Sequence, residues 1–187
     1  MPHTERRLPH WDVIGSPIFV TFRLHGSLPA NRIFLPERLT TGKAFVAMDR
    51  ILDNARTGPL FLREPEIADL VMRALIDGDS RFGRYQLHAF VVMANHVHML
   101  VTPHGVATKW LGPLKGFTAH EANRILGRHG TPFWQDESYD HLVRSDAEFG
   151  RIHEYIERNP VTAGVVAAAE EFRWSSAKKP PERRLQP

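Results

Sequence analysis

Apolar positions run unbroken or alternate with polar ones in four stretches of the chain, and each reads as a β-strand. Residues 17–24, rich in β-branched and aromatic side chains, form the first and end at His25-Gly26. A second covers about 85–93, led in by Gly83; Ala94-Asn95 then offers a tight connection into a third, His96-Val97-His98-Met99-Leu100-Val101, ending near Pro103. Residues 139–144 make a short fourth. Between these stretches the apolar period becomes helical. Pro36 opens a helical pattern through about Asn54, and Glu64-Pro65-Glu66 opens another through about Asp77 with Ile67, Leu70, Val71 and Leu75 at helical spacing. After Gly112-Pro113, the residues Leu114, Thr118, Ala122 and Ile125 make one stripe, closed by Gly127 and Gly130. Ser145-Asp146 caps a last helix from about Ala147 to Asn159, where Pro160 stops it. The order β, α, α, β, β, α, β, α predicts an α+β fold. It is an antiparallel sheet covered by helices, close to a ferredoxin-like β-α-β-β-α-β core with added helices and a helix near the C-terminus.

A chain of 187 residues suits one domain, expected over residues 1–177 with an N-terminal arm in 1–12 and a basic tail in 178–187. The absence of any apolar run long enough to cross a bilayer, and of an apolar core after Met1-Pro2-His3-Thr4-Glu5-Arg6-Arg7, predicts a cytoplasmic protein with no membrane partner. Zero cysteines exclude disulfides, thiolate ligands and cysteine nucleophiles. The net charge of +3 and pI near 9.5 are compatible with a polyanionic partner. Basic residues gather at both ends, in Arg6-Arg7 and in Lys178-Lys179 with Arg183-Arg184, as arms for a phosphate backbone or as solubilising tails.

His96 and His98 are the most informative residues. Side chains alternate between the faces of a strand, so both imidazoles point one way and Val97 the other. Eleven histidines would give about 0.6 His-x-His pairs by chance, so the setting matters more than the pair. Two polar rings in a strand that otherwise reads as buried need a partner: a backbone carbonyl, water, or a metal for which they are half a ligand set. Tyr155 and Asn159, four residues apart on the last helix, share a face. A phenol can attack phosphorus once a base or cation helps ionise it, and an amide oxygen can join two imidazoles around Mg²⁺ or Mn²⁺. The same two residues could equally pack on the sheet and cap the helix before Pro160.

Taken in order, Met93-Ala94-Asn95-His96-Val97-His98-Met99-Leu100-Val101, Phe133-Trp134-Gln135, Tyr139-Asp140-His141-Leu142-Val143-Arg144, Tyr155-Ile156, Asn159-Pro160-Val161 with Ala163-Gly164, and Trp174-Ser175-Ser176 resemble the REP-associated tyrosine transposases, in the single-tyrosine branch of the HUH endonucleases. Arg7-Leu8-Pro9-His10-Trp11 and Phe19-Val20-Thr21-Phe22-Arg23-Leu24 resemble their N-terminus, so the likeness spans about residues 6–177. Ala94 departs from it, standing where a proline is common, and so does Ser138, where an aromatic often precedes the Tyr139 position.

The resemblance implies a ferredoxin-like core with the histidines on a central strand and the tyrosine on a C-terminal helix. Carried across, Tyr155 matches the nucleophile, His96 and His98 two metal ligands, and Asn159 the third. The implied reaction is divalent-metal-dependent (Mg²⁺ or Mn²⁺) cleavage and strand transfer on single-stranded or hairpin DNA, with repetitive palindromic elements as substrate, through a covalent 5′-phosphotyrosine. The protein would act as a monomer or homodimer. Lys115, Arg144 and Arg158 are candidate contacts to the anionic transition state, with Arg6 and Arg7 as further DNA contacts. Tyr139, beside Asp140 and His141, is the competing nucleophile; Trp134 and Trp174 are core or rim aromatics able to stack on unpaired bases. Two rival functions are a non-catalytic binder of DNA hairpins and a metal-dependent phosphodiesterase using water.

Overall fold

The alternation of the strands sorts the interior into two layers. The computed structural model describes residues 14–28, 42–55 and 57–178, with only the backbone of 42–46. Strands β1 (Ile18–Arg23), β2 (Tyr85–Val92), β3 (His96–Pro103) and β4 (Tyr139–Leu142) form one antiparallel sheet in the order β2-β3-β1-β4. With β3 and β1 at its centre, this is the expected ferredoxin-like arrangement. Among the described residues four α-helices cover it: α1 (Gly42–Asp53), α2 (Pro65–Ser80), α3 (Ala107–Ile125) and α4 (Asp146–Thr162).

On one face Val20 and Phe22 join Val97 and Met99 against Ile67, Val71 and Leu75 of α2 and Trp110 and Leu114 of α3. On the other, Phe19, Val91 and Leu100 meet Met48 and Leu52 of α1 and Ile156 of α4. Each core side chain of this size contributes about 1.5–3 kcal/mol by leaving water, so a one-residue slip of any strand would exchange the two layers and lose both. Trp134 belongs to the first layer: its ring meets Phe22 edge-on at 4.8 Å and its indole N–H donates to Thr118 Oγ1 at 2.9 Å. It is a core residue rather than a platform for bases.

The fourth strand ends at Leu142 rather than at 144 and α2 runs on to Ser80, and two further boundaries differ from the sequence expectation at prolines. Helix α3 begins at Ala107 and runs through Pro113, and α4 continues past Pro160 to Thr162. Gly112 and Pro113 lie on the exposed side of α3 while Trp110, Leu111 and Leu114 are buried, so packing of the apolar stripe outweighs the lost backbone bond. The Ser145 cap is present, its hydroxyl accepting from Glu148 N at 3.2 Å. After α4 the chain returns along β2: Val92 N donates to Trp174 O at 2.9 Å and Ser176 N to Phe90 O at 3.0 Å, covering an otherwise open sheet edge. The expected helical turn at residues 36–41, the arm at 1–12 and the tail from 179 onward lie outside the described residues.

Candidate active site

On β3, Val97 points into the α2–α3 layer while His96 and His98, both fully buried, stand on the face covered by α1 and α4. The register sets Thr21 opposite His98 and Arg23 opposite His96. Thr21 Oγ1 lies 2.7 Å from His98 Nδ1, and Asn95 Oδ1 lies 2.8 Å from His96 Nδ1. Because Asn95 also donates its amide N–H to the Leu52 carbonyl at 3.1 Å, its oxygen is the atom facing His96, which therefore carries its proton on Nδ1. His96 Nε2 is then a bare lone pair, the form a metal requires, with the tautomer held by a neighbouring side chain. The two Nε2 atoms are 3.1 Å apart.

Helix α1 supplies a residue the sequence reading missed. Asp49 places Oδ1 3.0 Å from His98 Nε2 and 3.5 Å from His96 Nε2, and Asp53, one turn on, places Oδ1 3.7 Å from His96 Nε2. The ligand atoms of Asp49, His96 and His98 all lie within 4.8 Å of one another. Oδ1 of Asp49, Oδ1 of Asp53 and Oδ1 of Asn159 are buried and accept no hydrogen bond. Buried oxygens in that condition cost free energy, and a cation among them would satisfy them. Two imidazole nitrogens and a carboxylate suit a divalent ion of the Mn²⁺ or Mg²⁺ type, so the residues fit the implied metal.

The second oxygen of the same carboxylate faces α4. Tyr155 donates its hydroxyl hydrogen to Asp49 Oδ2, and Asn159 donates its amide N–H to it at 3.3 Å. The Tyr155 ring lies 5.7 Å from that of His98 and meets Phe19 edge-on at 6.2 Å. Imidazoles, phenol and carboxamide thus converge within one chain. Asp49 joins them.

Burial works to raise the pKa of Asp49, but attraction to His98, then to His96, together with the hydrogen bond from Asn159, outweighs it and holds the carboxyl below its ordinary value. Asp53 is the reverse: burial, reinforced by the Asp49 charge and only partly opposed by His98, pushes it up to about 7. Burial, then repulsion from His98, drives His96 down to about 3 despite the pull of Asp49, so its ring is neutral at physiological pH.

The other expected residues divide. Tyr139 sits on the same face, edge-on to Phe19 at 6.2 Å, but burial, then Asp140 and Glu148, raise its pKa, and His141 is engaged by Glu148 at 2.8 Å. Lys115 donates to the carbonyls of Gln135 and Asp136 at 2.7 and 3.0 Å, tying down the loop after Trp134. Arg144 is exposed, Arg158 is exposed and lies 3.4 Å from Glu154, and Arg6 and Arg7 fall outside the described residues. Arg23 was not anticipated. Half-buried beside His96 in the register, its guanidinium makes one hydrogen bond, to Ser27 Oγ at 3.3 Å, and no salt bridge among the described residues. Burial lowers its pKa, with Glu137 opposing.

Comparison with known proteins bears on this geometry. Residues 68–159 match the profile of the family described as "Transposase IS200 like", a span that includes His96, His98, Tyr155 and Asn159 but begins after Asp49. Among solved structures, the chain resembles a REP-associated tyrosine transposase bound to a REP hairpin, at 16% identity over 100% of this chain and 89% of that one, with a TM-score of 0.58. A candidate transposase from Deinococcus radiodurans R1 matches at 19% identity over 85% of this chain and 98% of its own, with a TM-score of 0.42. No curated protein matches in sequence. Residues 68–159, which hold the histidine strand and the tyrosine helix, are thus similar to the IS200-like transposase family, and the sheet and helices share the fold of a solved transposase structure.

Proposed function

We propose that this protein cleaves and rejoins single-stranded DNA through Tyr155, at a divalent cation held by Asp49, His96 and His98 with Asn159 beside them. One observation carries the reading: the two oxygens of a single buried carboxylate, Asp49, meet both imidazoles on one side and the phenol on the other. A divalent cation there would supply Lewis-acid polarisation of a phosphodiester. Asp49 Oδ2, ionised, orients the phenol and receives its proton. The Tyr155 oxygen then attacks phosphorus in line; the O–P bond to the tyrosine forms, the bond to the DNA 3′-oxygen breaks, and that oxygen leaves as a 3′-hydroxyl once protonated. The phosphodiester energy stays in the 5′-phosphotyrosine, so a second 3′-hydroxyl can reverse the step and transfer the strand.

Arg23, on the same sheet face and in no salt bridge among the described residues although Glu137 acts on it from nearby, is the side chain placed to hold a non-bridging phosphate oxygen. It takes the role expected of Lys115, whose ammonium is occupied. A hairpin with single-stranded flanks is the substrate class, by analogy with the REP hairpin bound to the structural relative. One chain contains the complete set of groups, so catalysis within a monomer is sufficient.

The test is covalent trapping. Labelled hairpin DNA with single-stranded flanks and Mn²⁺ should leave label on the wild-type protein and none on Tyr155→Phe, which should still shift the DNA in a gel. Free cleaved product without protein-linked label would favour water as nucleophile, and a mobility shift alone would reduce the protein to a binder.

A further inference from the structure

Beside the His–Asp cluster lies a cavity of about 310 Å³ that the cleavage chemistry does not use. It opens between the end of α1, the turn joining β2 to β3, and the returning segment after α4. Its walls are mostly apolar, with Met93, Phe172 and Trp174 among them, while Arg63, Asp53 and His96 supply its polar chemistry. That size is at the lower bound of pockets that take small organic molecules, and far too large for one water.

The walls are preformed. Trp174 donates its indole N–H to Asp69 at 2.8 Å, Arg173 reaches the other oxygen of the same carboxylate at 2.7 Å, and Phe172 meets Trp174 edge-on at 5.7 Å. On the opposite side, Leu62 N donates to Ala94 O at 3.2 Å, fixing the turn that precedes His96. The polar groups are available as well. The Arg63 guanidinium makes no hydrogen bond or salt bridge among the described residues, and Asp53 Oδ1 is buried without a donor. His96 and Asp53 belong both to the cavity wall and to the surroundings of the cluster, so whatever fills the cavity is adjacent to whatever sits at the cluster.

We propose that this cavity seats one unpaired nucleobase of the DNA strand whose neighbouring phosphate lies at the Asp49–His96–His98 cluster. A nucleobase is flat, aromatic and apolar on its faces, with donors and acceptors only around its rim. Aromatic walls accept the faces, and a free guanidinium and a free carboxylate oxygen match acceptors and donors on the rim. A base pair is too bulky, so the site selects single-stranded DNA at the cleaved position. The pocket also contributes a base preference that the metal cluster, which touches only phosphate, has no means to provide.

The inference rests on the strand-cleavage reading, and the experiment separates the two. The Tyr155→Phe protein with Mn²⁺ is titrated with hairpin DNA carrying a single abasic site at successive positions of the single-stranded flanks. One position should lose at least about tenfold in affinity while its neighbours change little. 2-Aminopurine at that position should be quenched on binding to the unaltered cavity. Ala94→Leu, which fills the cavity from its half-buried turn, should abolish both the quenching and the abasic penalty. Uniform losses along the flank, or a penalty that persists in Ala94→Leu with no quenching in the unmodified cavity, would overturn the pocket. A position-selective penalty without any Tyr155-linked adduct in the wild-type protein would sink the cleavage reading and leave the pocket standing; an adduct without position selectivity would do the opposite.

Discussion

Asp49 shows how much of a site can hang on one side chain. Its Oδ1 faces the two imidazoles and its Oδ2 the phenol, so the charge that would hold a cation also holds the proposed nucleophile. Asp49→Asn keeps the shape and removes the charge. Mn²⁺ binding measured by calorimetry should weaken at least about tenfold and adduct formation should fall further, because two functions are lost at once. An unchanged Mn²⁺ affinity would remove Asp49 from the ligand set. His96 and His98 were legible in the sequence because polar rings are conspicuous in an apolar strand. Asp49 was not, because an acid on an amphipathic helix ordinarily faces water, and only the packing of Met48 and Leu52 on the sheet turns this one inward. An acid pair at i and i+4 flanked by those apolar residues was the available signal. Arg23 hid likewise: its meaning lies in the β1–β3 register, which no single strand reveals.

Strands and helices were legible where apolar periodicity and caps agreed, and less so where a proline competed with packing, as in α3 and α4. Contacts between elements also create requirements that local propensity contradicts. Gly78 lies inside α2, where alanine is the better helix former by about 1 kcal/mol. A Cβ at that position would overlap the Tyr85 hydroxyl and ring. Tyr85 is 1% exposed, donates to the Leu75 carbonyl at 2.9 Å and stands edge-on to Trp110 at 5.4 Å, so it has nowhere to move. Overpacking of this kind costs about 1–3 kcal/mol, occasionally more, and outweighs the propensity gain. Gly78→Ala should therefore lower the urea midpoint, corresponding to a net loss of up to about 2 kcal/mol. A midpoint that rises would mean that the ring yields and that propensity decides.

The candidate ligands come from two elements, α1 and β3, so a bound cation would bridge a helix to the centre of the sheet and stabilise the fold as a whole. Binding only to the folded state adds about 2.7 kcal/mol at a hundredfold excess over the dissociation constant. For a domain of this length that is a rise in Tm of roughly 5–10 °C. Mn²⁺ should produce it in the wild type and not in His98→Ala; equal shifts in both would place the stabilising ion elsewhere. Without metal, the same cluster couples the fold to pH through two opposed groups. His96 resists protonation down to about 3 while the unfolded chain takes a proton near 6.5, so its burial costs stability as pH falls through that window. Asp53, raised from 3.8 to about 7, keeps a proton in the folded state that the unfolded chain has released, so its contribution is complete below about pH 4 and disappears as pH rises through 7. Comparison with Asp53→Asn in EDTA isolates the second term. The stability advantage of the wild type over the variant, measured by urea unfolding at several pH values, should shrink steadily from pH 4 to pH 7 and level off above. A difference that grows with pH would mean that Asp53 is ionised in the folded protein, and its carboxylate would then act as a further ligand beside His96 rather than as a neutral wall of the adjoining cavity.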